Sequence, residues 1–176
     1  MKRVLVIGCS GSGKSTFATE LARRTGLELI HLDQHYWKPH WIEPSKAEWT
    51  SISHQLTQKD HWVMDGNYGS TMDQRIERAD TVIYLNMPTW LCLYRILKRW
   101  LQFRGRTRPS LPSDCPEKMD WTFFHYVLTF RQIRERGLLQ KLADLPEGKR
   151  GIVLRSPQAV RAFWEGFAHP HPTPPK

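Results

Sequence analysis

The sequence predicts a three-layer α/β fold, with helices on both faces of a five-stranded parallel sheet. Two observations carry this. Short apolar runs rich in β-branched residues alternate with helical stretches, and a glycine-rich loop separates the first run from the first helix.

Arg3 to Ile7 (RVLVI) is an apolar run closed by Gly8, the pattern of a strand buried on both faces. A helix is expected from Lys14 to about Thr25, with Phe17, Leu21 and Ala22 on its inner face and Gly26 as its stop. Leu27 to Leu32 reads as the second strand, and 33–43, which contains Pro39, as irregular. Ser45 followed by Glu48 is a capping-box pattern opening a helix over 46–58. His61 to Asp65 is the third strand, 71–78 a short helix, and Thr81 to Leu85 the fourth strand. Long helices are expected over 89–103 and 119–142, with a Gly/Pro-rich loop between them. Gly151 to Leu154 is the fifth strand, and Pro157 opens a last helix to about 167. On the 89–103 helix, the face formed by Trp90, Tyr94, Leu97 and Leu101 is expected to pack on the sheet.

With 176 residues and no internal repeat, the chain is expected to form one domain over 1–168. The tail HPHPTPPK (169–176) has too little apolar surface to pack and is expected to be disordered. Cys9, Cys92 and Cys115 are odd in number and form no CxxC pair, against a disulfide framework or a zinc site. They suit a reducing cytosol, and a cytoplasmic protein is expected. No run approaches the about 18 apolar residues of a membrane span. A net charge of +9 asks for anionic partners: phosphorylated small molecules or nucleic acid. The chain is compatible with a monomer or a homodimer.

Gly8-Cys9-Ser10-Gly11-Ser12-Gly13-Lys14-Ser15, followed by Thr16, completes the phosphate-loop pattern GxxxxGKS/T. Its glycines let backbone N–H groups converge on phosphate oxygens, and the helix it opens adds a positive dipole end. Lys14 would bridge the β- and γ-phosphates, and Ser15 would hold Mg²⁺. The cofactors expected are therefore ATP and Mg²⁺. Asp33 follows the second strand and Asp65 ends the third, where the carboxyl ends of parallel strands face the ligand crevice. One of them can orient Mg²⁺ and the other can accept the proton of an acceptor hydroxyl; each is equally open to a loop-capping role. His31-x-Asp33-x-His35 would place three metal ligands on one strand face, a weak signal on spacing alone.

Arg95, Lys98, Arg99, Arg104, Arg106 and Arg108 lie in an acid-free stretch. The last three stand on the loop 104–118, which suits a lid closing on transferring phosphates. A nucleic-acid backbone stripe and a merely solvated basic surface are the competing readings. Tyr36, Trp37, Trp41 and Trp49 cluster after the second strand, as a stacking platform or as core, with core favoured for Trp49.

GCSGSGKST, LDQHYWKPHW, WVMDGNY, ADTVIYLNMP and the run through RGRTRP resemble, in that order, the adenylate-kinase-related proteins named as DNA topology modulation (FlaR-like) proteins. The resemblance extends from Met1 to about Phe167. It implies a small kinase core with strand order 2-3-1-4-5, and phosphate-binding arginines in the lid and the helix after it, here Arg104, Arg106, Arg108 and Arg131. Arg155-Ser156-Pro157 looks like the loop that packs on adenine in such kinases. Adenylate kinases follow the Asp-Gly of the third strand with Phe-Pro-Arg-Thr, whose arginine grips the acceptor's phosphate. Here Asn67-Tyr68-Gly69-Ser70 follows Asp65-Gly66, so Arg75 is the candidate replacement and AMP is not the expected acceptor.

These residues point to a phosphotransferase that moves the γ-phosphoryl of Mg-ATP to a small acceptor: a nucleotide, nucleoside or sugar. Lys14, Asp33, Arg104 and Arg108 would do the chemistry. Asp33, Tyr36, Trp37, Asp65, Gly66, Asn67, Tyr68, Arg75 and Arg131 would meet the acceptor. The rival reading is a nucleotide-dependent DNA-binding protein without catalysis. The complete phosphate loop makes one expectation direct: Lys14→Ala abolishes ATP binding or turnover while circular dichroism shows an intact fold. Unchanged ATP affinity in the folded variant would refute the assignment.

Overall fold

The computed structural model describes residues 1–105, 107, 110–117 and 120–168. In chain order the elements are β1 (Arg3–Gly8), α1 (Lys14–Thr25), β2 (Glu28–His31), α2 (Leu32–Tyr36), α3 (Lys46–Thr57), β3 (Trp62–Asp65), α4 (Met72–Arg78), β4 (Thr81–Leu85), α5 (Thr89–Phe103), α6 (Trp121–Phe130), α7 (Arg136–Ala143), β5 (Arg150–Leu154) and α8 (Pro157–Ala168). The five strands form one parallel sheet in the order β2-β3-β1-β4-β5, with helices on both faces. This is the expected three-layer α/β architecture. Arg106, Arg108 and the tail 169–176 lie outside the described residues.

The three central strands are apolar almost throughout, because a parallel strand between two helical layers is buried on both faces. Val4 to Ile7, Trp62 to Met64 and Val82 to Tyr84 are fully buried. The edge strands β2 and β5 are more exposed. Register carries function here. Val6 pairs with Asp65, and His31 pairs with the same Asp65 from the other side. The carboxyl ends of β1, β2 and β3 therefore stand side by side.

Helix boundaries follow local chemistry. Gly26 adopts a left-handed φ of 72° and its N–H bonds to the Ala22 carbonyl, ending α1. Ser45 Oγ accepts from the Glu48 N–H at 3.2 Å and starts α3 as the sequence indicated. The long helix expected after the basic loop forms as one continuous helical run over 121–143, with a π-helical turn at Arg131–Glu135 between α6 and α7. Two departures remain. The segment expected to be irregular after β2 folds into α2 and a 3-10 turn at Pro39–Trp41. The apolar face assigned to the sheet on α5 is also wrong: Trp90, Tyr94, Leu97 and Leu101 are 69%, 58%, 48% and 63% exposed. Cys92 and Ile96 make the buried contact instead, because α5 is apolar on two faces and only the narrower one fits over the phosphate loop.

That fit depends on glycine. Gly11 has φ of 80°, and a Cβ built there would lie 2.4 Å from the Cys92 carbonyl oxygen of α5. At Gly8 a Cβ would lie 2.6 Å from the Leu85 carbonyl of β4. Gly11→Ala therefore combines a strained φ with a backbone clash and should lower stability by more than about 1 kcal/mol. Urea unfolding checks this, and an unchanged midpoint would contradict the close approach.

Candidate active site

The loop from Gly8 to Thr16 runs directly from β1 into α1. Its turn is closed by Ser12 N–H donating to the Cys9 carbonyl at 3.1 Å. Gly13 precedes the helix with φ of 96°; no side chain caps it, and the first turn of α1 carries no acidic residue. The helix thus presents unoccupied N–H donors and its positive dipole end to the cleft. Lys14 Nζ reaches back across the loop and donates to the Cys9 carbonyl at 3.0 Å. The Cys9 side chain turns inward, where a hydrogen bond with the neighbouring Cys92 thiol and then burial push its pKa up.

One cleft of about 2030 Å³ joins this loop to the ends of β2 and β3. Ser10 to Thr16 line it, together with Asp33, Trp37, Asp65, Gly66, Asn67 and Tyr68. Ser15 Oγ donates to Asp65 Oδ2 at 2.7 Å, and the other Asp65 oxygen bonds His31 Nδ1. A serine hydroxyl beside a carboxylate oxygen is a hard-oxygen donor set, which fits Mg²⁺. Ser15 and Asp65 are residues that could hold that ion or its waters. Asp33 lines the same cleft, and its Oδ1 accepts from the Tyr68 hydroxyl at 2.7 Å. His31, Asp33 and His35 do not share a strand face, because α2 begins at Leu32.

Arg75 has a different place from the one expected. It is fully buried, and its guanidinium donates to the carbonyls of Gly66 at 3.0 Å, Tyr68 at 2.7 Å and Thr71 at 3.2 Å, and to that of Asn67. Burial lowers its pKa to about 10, still charged at neutral pH. It is not placed to meet an acceptor's phosphate, because it has no exposed surface and four of its five N–H groups are engaged by carbonyls of the turn after β3. What it does is hold that turn, in which Tyr68 is forced to a left-handed φ of 36° that aims its hydroxyl at Asp33. Asn67 works in the same turn: its side-chain amide accepts from Gly8 N–H at 3.1 Å and donates to the Gly8 carbonyl at 2.7 Å. The end of β3 is thereby clamped to the first residue of the phosphate loop.

Other expected contacts are also redistributed. Arg131 bonds Glu135 at 3.0 Å, and Arg155 lies 3.8 Å from the same carboxylate and is 62% exposed. Arg131 holds the Glu135 carboxyl below the usual range. Neither arginine lines the cleft, whereas Pro157 does. Arg104 lies over the Trp100 ring at 5.3 Å and does not line the cleft. Tyr36 packs behind the cleft wall, 4.4 Å from Tyr68 and 5.0 Å from Trp49 between ring centres.

The cleft instead gains residues that sequence reasoning left unassigned. Arg95 and Arg99, one turn apart on α5, both line it. Arg95 donates to the Ser12 carbonyl at 3.0 Å, and Arg99 pairs with Glu117 at 2.6 Å. Their i, i+4 spacing in the basic run was the available signal. Tyr126 and Trp164 line it too, as does Trp41, one of the aromatics read from the sequence as a platform or as core, and Tyr126 is reached by the Asn67 amide at 3.3 Å. Trp41 and His40 both take left-handed φ, 64° and 62°. Two bonds hold them there, from His40 N–H to the Asp114 carbonyl at 3.0 Å and from Trp41 Nε1 to the Pro116 carbonyl at 3.1 Å.

No family model matches the chain. It is 24% identical over 153 residues to the uncharacterized protein YqaC of Bacillus subtilis (strain 168), covering 82% of this chain and 84% of that one. In fold it is similar to shikimate kinase from Acinetobacter baumannii in complex with shikimate, with a TM-score of 0.60, 16% identity and coverage of 96% and 91% of the two chains. It is also similar to deoxyadenosine kinase from M. mycoides with bound dATP, with a TM-score of 0.51, 18% identity and coverage of 94% and 98%. At these identities the likeness is one of fold: a P-loop kinase fold. Among the described residues no helix is long and apolar enough to cross a membrane.

Removing the guanidinium leaves four carbonyls of the turn without their donor. Arg75→Leu should therefore cost about 3 kcal/mol or more. Arg75→Lys should recover little of it, since an ammonium lacks the planar fork. Denaturant unfolding of the two variants measures both effects.

Proposed function

We propose that this protein is a Mg²⁺-ATP-dependent phosphotransferase acting on a hydroxyl of a small acceptor. The observation that carries the reading is one cleft holding a complete phosphate loop, the Ser15–Asp65 pair and, separately, the Asp33 carboxylate. Bound Mg²⁺ would neutralise charge on the β- and γ-phosphates. Lys14, now bonded within the loop, would turn to those phosphates, and the amides of Gly11 to Ser15 would bind their oxygens.

Asp33 is the candidate general base. The acceptor hydroxyl oxygen attacks the γ-phosphorus, its proton passes to Asp33, and the bond from that phosphorus to the β–γ bridging oxygen breaks, releasing ADP. Tyr68 orients the base through its bond to Oδ1. Arg95 and Arg99 reach the cleft from α5 and are candidates to stabilise charge on the transferring group, beside Arg108 of the proposed lid. Pro157 and Trp164, which line the cleft, would meet the adenine. We propose that 104–118 acts as the lid, that 1–168 is one domain, and that the chain is of the adenylate-kinase-related, FlaR-like type. That Arg95 and Arg99 face a concave cleft favours nucleotide phosphates over a nucleic-acid backbone, which needs cations on an open face.

A panel of nucleosides, nucleotides and sugars screened for ADP release identifies the acceptor. On that acceptor, Asp33→Asn should lower kcat by about 10²- to 10⁴-fold while ATP affinity stays within about twofold. Turnover close to wild type would remove Asp33 from the chemistry.

A further inference from the structure

The outer face of α5 is apolar. Among the described residues ten large hydrophobic side chains are exposed, and six of them stand on two neighbouring helices outside the cleft. Trp90, Tyr94, Leu97 and Leu101 are on α5, and Trp121 and Leu128 are on α6, which packs against it. None of the six lines the cleft, so nucleotide and acceptor do not account for their exposure. The four on α5 are spaced four, three and four residues apart, which sets them in one stripe along the helix, roughly 16 Å long at about 1.5 Å per residue. The side of α5 that carries Cys92 and Ile96 is already used against the phosphate loop.

We propose that this face docks on the same face of a second copy of this chain, across a two-fold axis that sets the two α5 helices antiparallel. Area, shape and charge choose that occupant. At the observed exposures the α5 stripe offers roughly 500 Å², and the two helices together roughly 800 Å², about what one partner gives to a stable interface. Monomeric proteins seldom leave that much apolar surface in water. With the axis passing between Arg95 and Ile96, Trp90 of one copy falls opposite Leu101 of the partner subunit, and Tyr94 opposite Leu97 of the partner subunit. Each bulky ring then meets a smaller side chain, the complement that a self-matching two-fold contact needs. Parallel pairing in register would set ring against ring. No charged residue lies in the stripe, and Lys98 is the only exposed cation of α5, because Arg95 and Arg99 are turned into the cleft. A helix lying on a membrane surface carries several Lys and Arg beside its apolar face, which α5 does not.

Sedimentation velocity on the full chain tests this, independently of the phosphotransfer reading. The wild type should sediment with twice the mass of one chain at micromolar concentration. Tyr94 and Leu97 are exposed in the single chain, so substitutions there should fold, which circular dichroism checks. Tyr94→Glu and Leu97→Lys each put a charge at the centre of the seam, and each should raise the dimer dissociation constant by about a hundredfold or more. Mixed in equal amounts, the two variants should form dimers again, because antiparallel pairing sets position 94 of one chain against position 97 of the other and so joins opposite charges. A wild type that stays monomeric at about 100 µM overturns the proposal, since an interface of this size holds at micromolar concentration or below. A monomer that co-sediments with vesicles of phosphatidylcholine and phosphatidylglycerol would give the face to a membrane instead. A dimer that survives both substitutions would use another face, and dimers lost in each variant but not restored in the mixture would overturn the antiparallel seam.

Discussion

Ser15 reaches Asp65 at 2.7 Å because β1 and β3 are parallel neighbours in one register, with Val6 opposite Asp65. The bond joins the first turn of α1 to the end of the adjacent strand, and much of the site is arranged around it. His31, opposite Asp65 on the other side, holds the second carboxylate oxygen and so fixes the rotation of the group. Asp65 is 5% exposed, and its position is defined by protein on both sides before any ion or nucleotide arrives. A slip of one residue would turn Asp65 to the opposite face of the sheet and break the chain from Ser15 to His31.

The turn after β3 carries the second half of the arrangement. A buried arginine is costly unless its donors are satisfied, and Arg75 is satisfied by backbone carbonyls rather than by a carboxylate. The charge therefore acts on the chain itself. It gathers the carbonyls of Gly66, Asn67 and Tyr68 and sustains the strained Tyr68 that orients Asp33. Asn67 then ties the same turn to Gly8. The phosphate loop, Asp65 and Asp33 thus form one connected unit, held through hydrogen bonds rather than through apolar packing alone. Such satisfied networks specify a geometry more sharply than apolar contacts do.

Helix α5 shows how packing assigns roles that pattern leaves open. It is apolar on two sides, and the phosphate loop accepts only the side carrying Cys92 and Ile96, against which Gly11 lies without a Cβ. Once that contact is made, Arg95 and Arg99 are rotated into the cleft, and Trp90, Tyr94, Leu97 and Leu101 are rotated out to solvent.

The amino-acid sequence by itself determined the alternation of strands and helices, the phosphate loop and the placing of Asp33 and Asp65 at strand ends. Those signals are local: apolar periodicity, glycines at fixed spacing, a capping Ser45 three residues before Glu48. Trp37, Asn67 and Tyr68 line the same cleft as the phosphate loop, because they follow β2 and β3, whose carboxyl ends stand with that of β1 along one edge of the sheet. Only the tertiary structure decided which arginines face the cleft and which serve the scaffold. An arginine looks the same in sequence whether it lines a cleft, as Arg95 does, or is buried under four carbonyls of its own chain, as Arg75 is. The difference lies in what surrounds the end of a long side chain, and that is set by elements distant in sequence that come together only when the sheet is assembled.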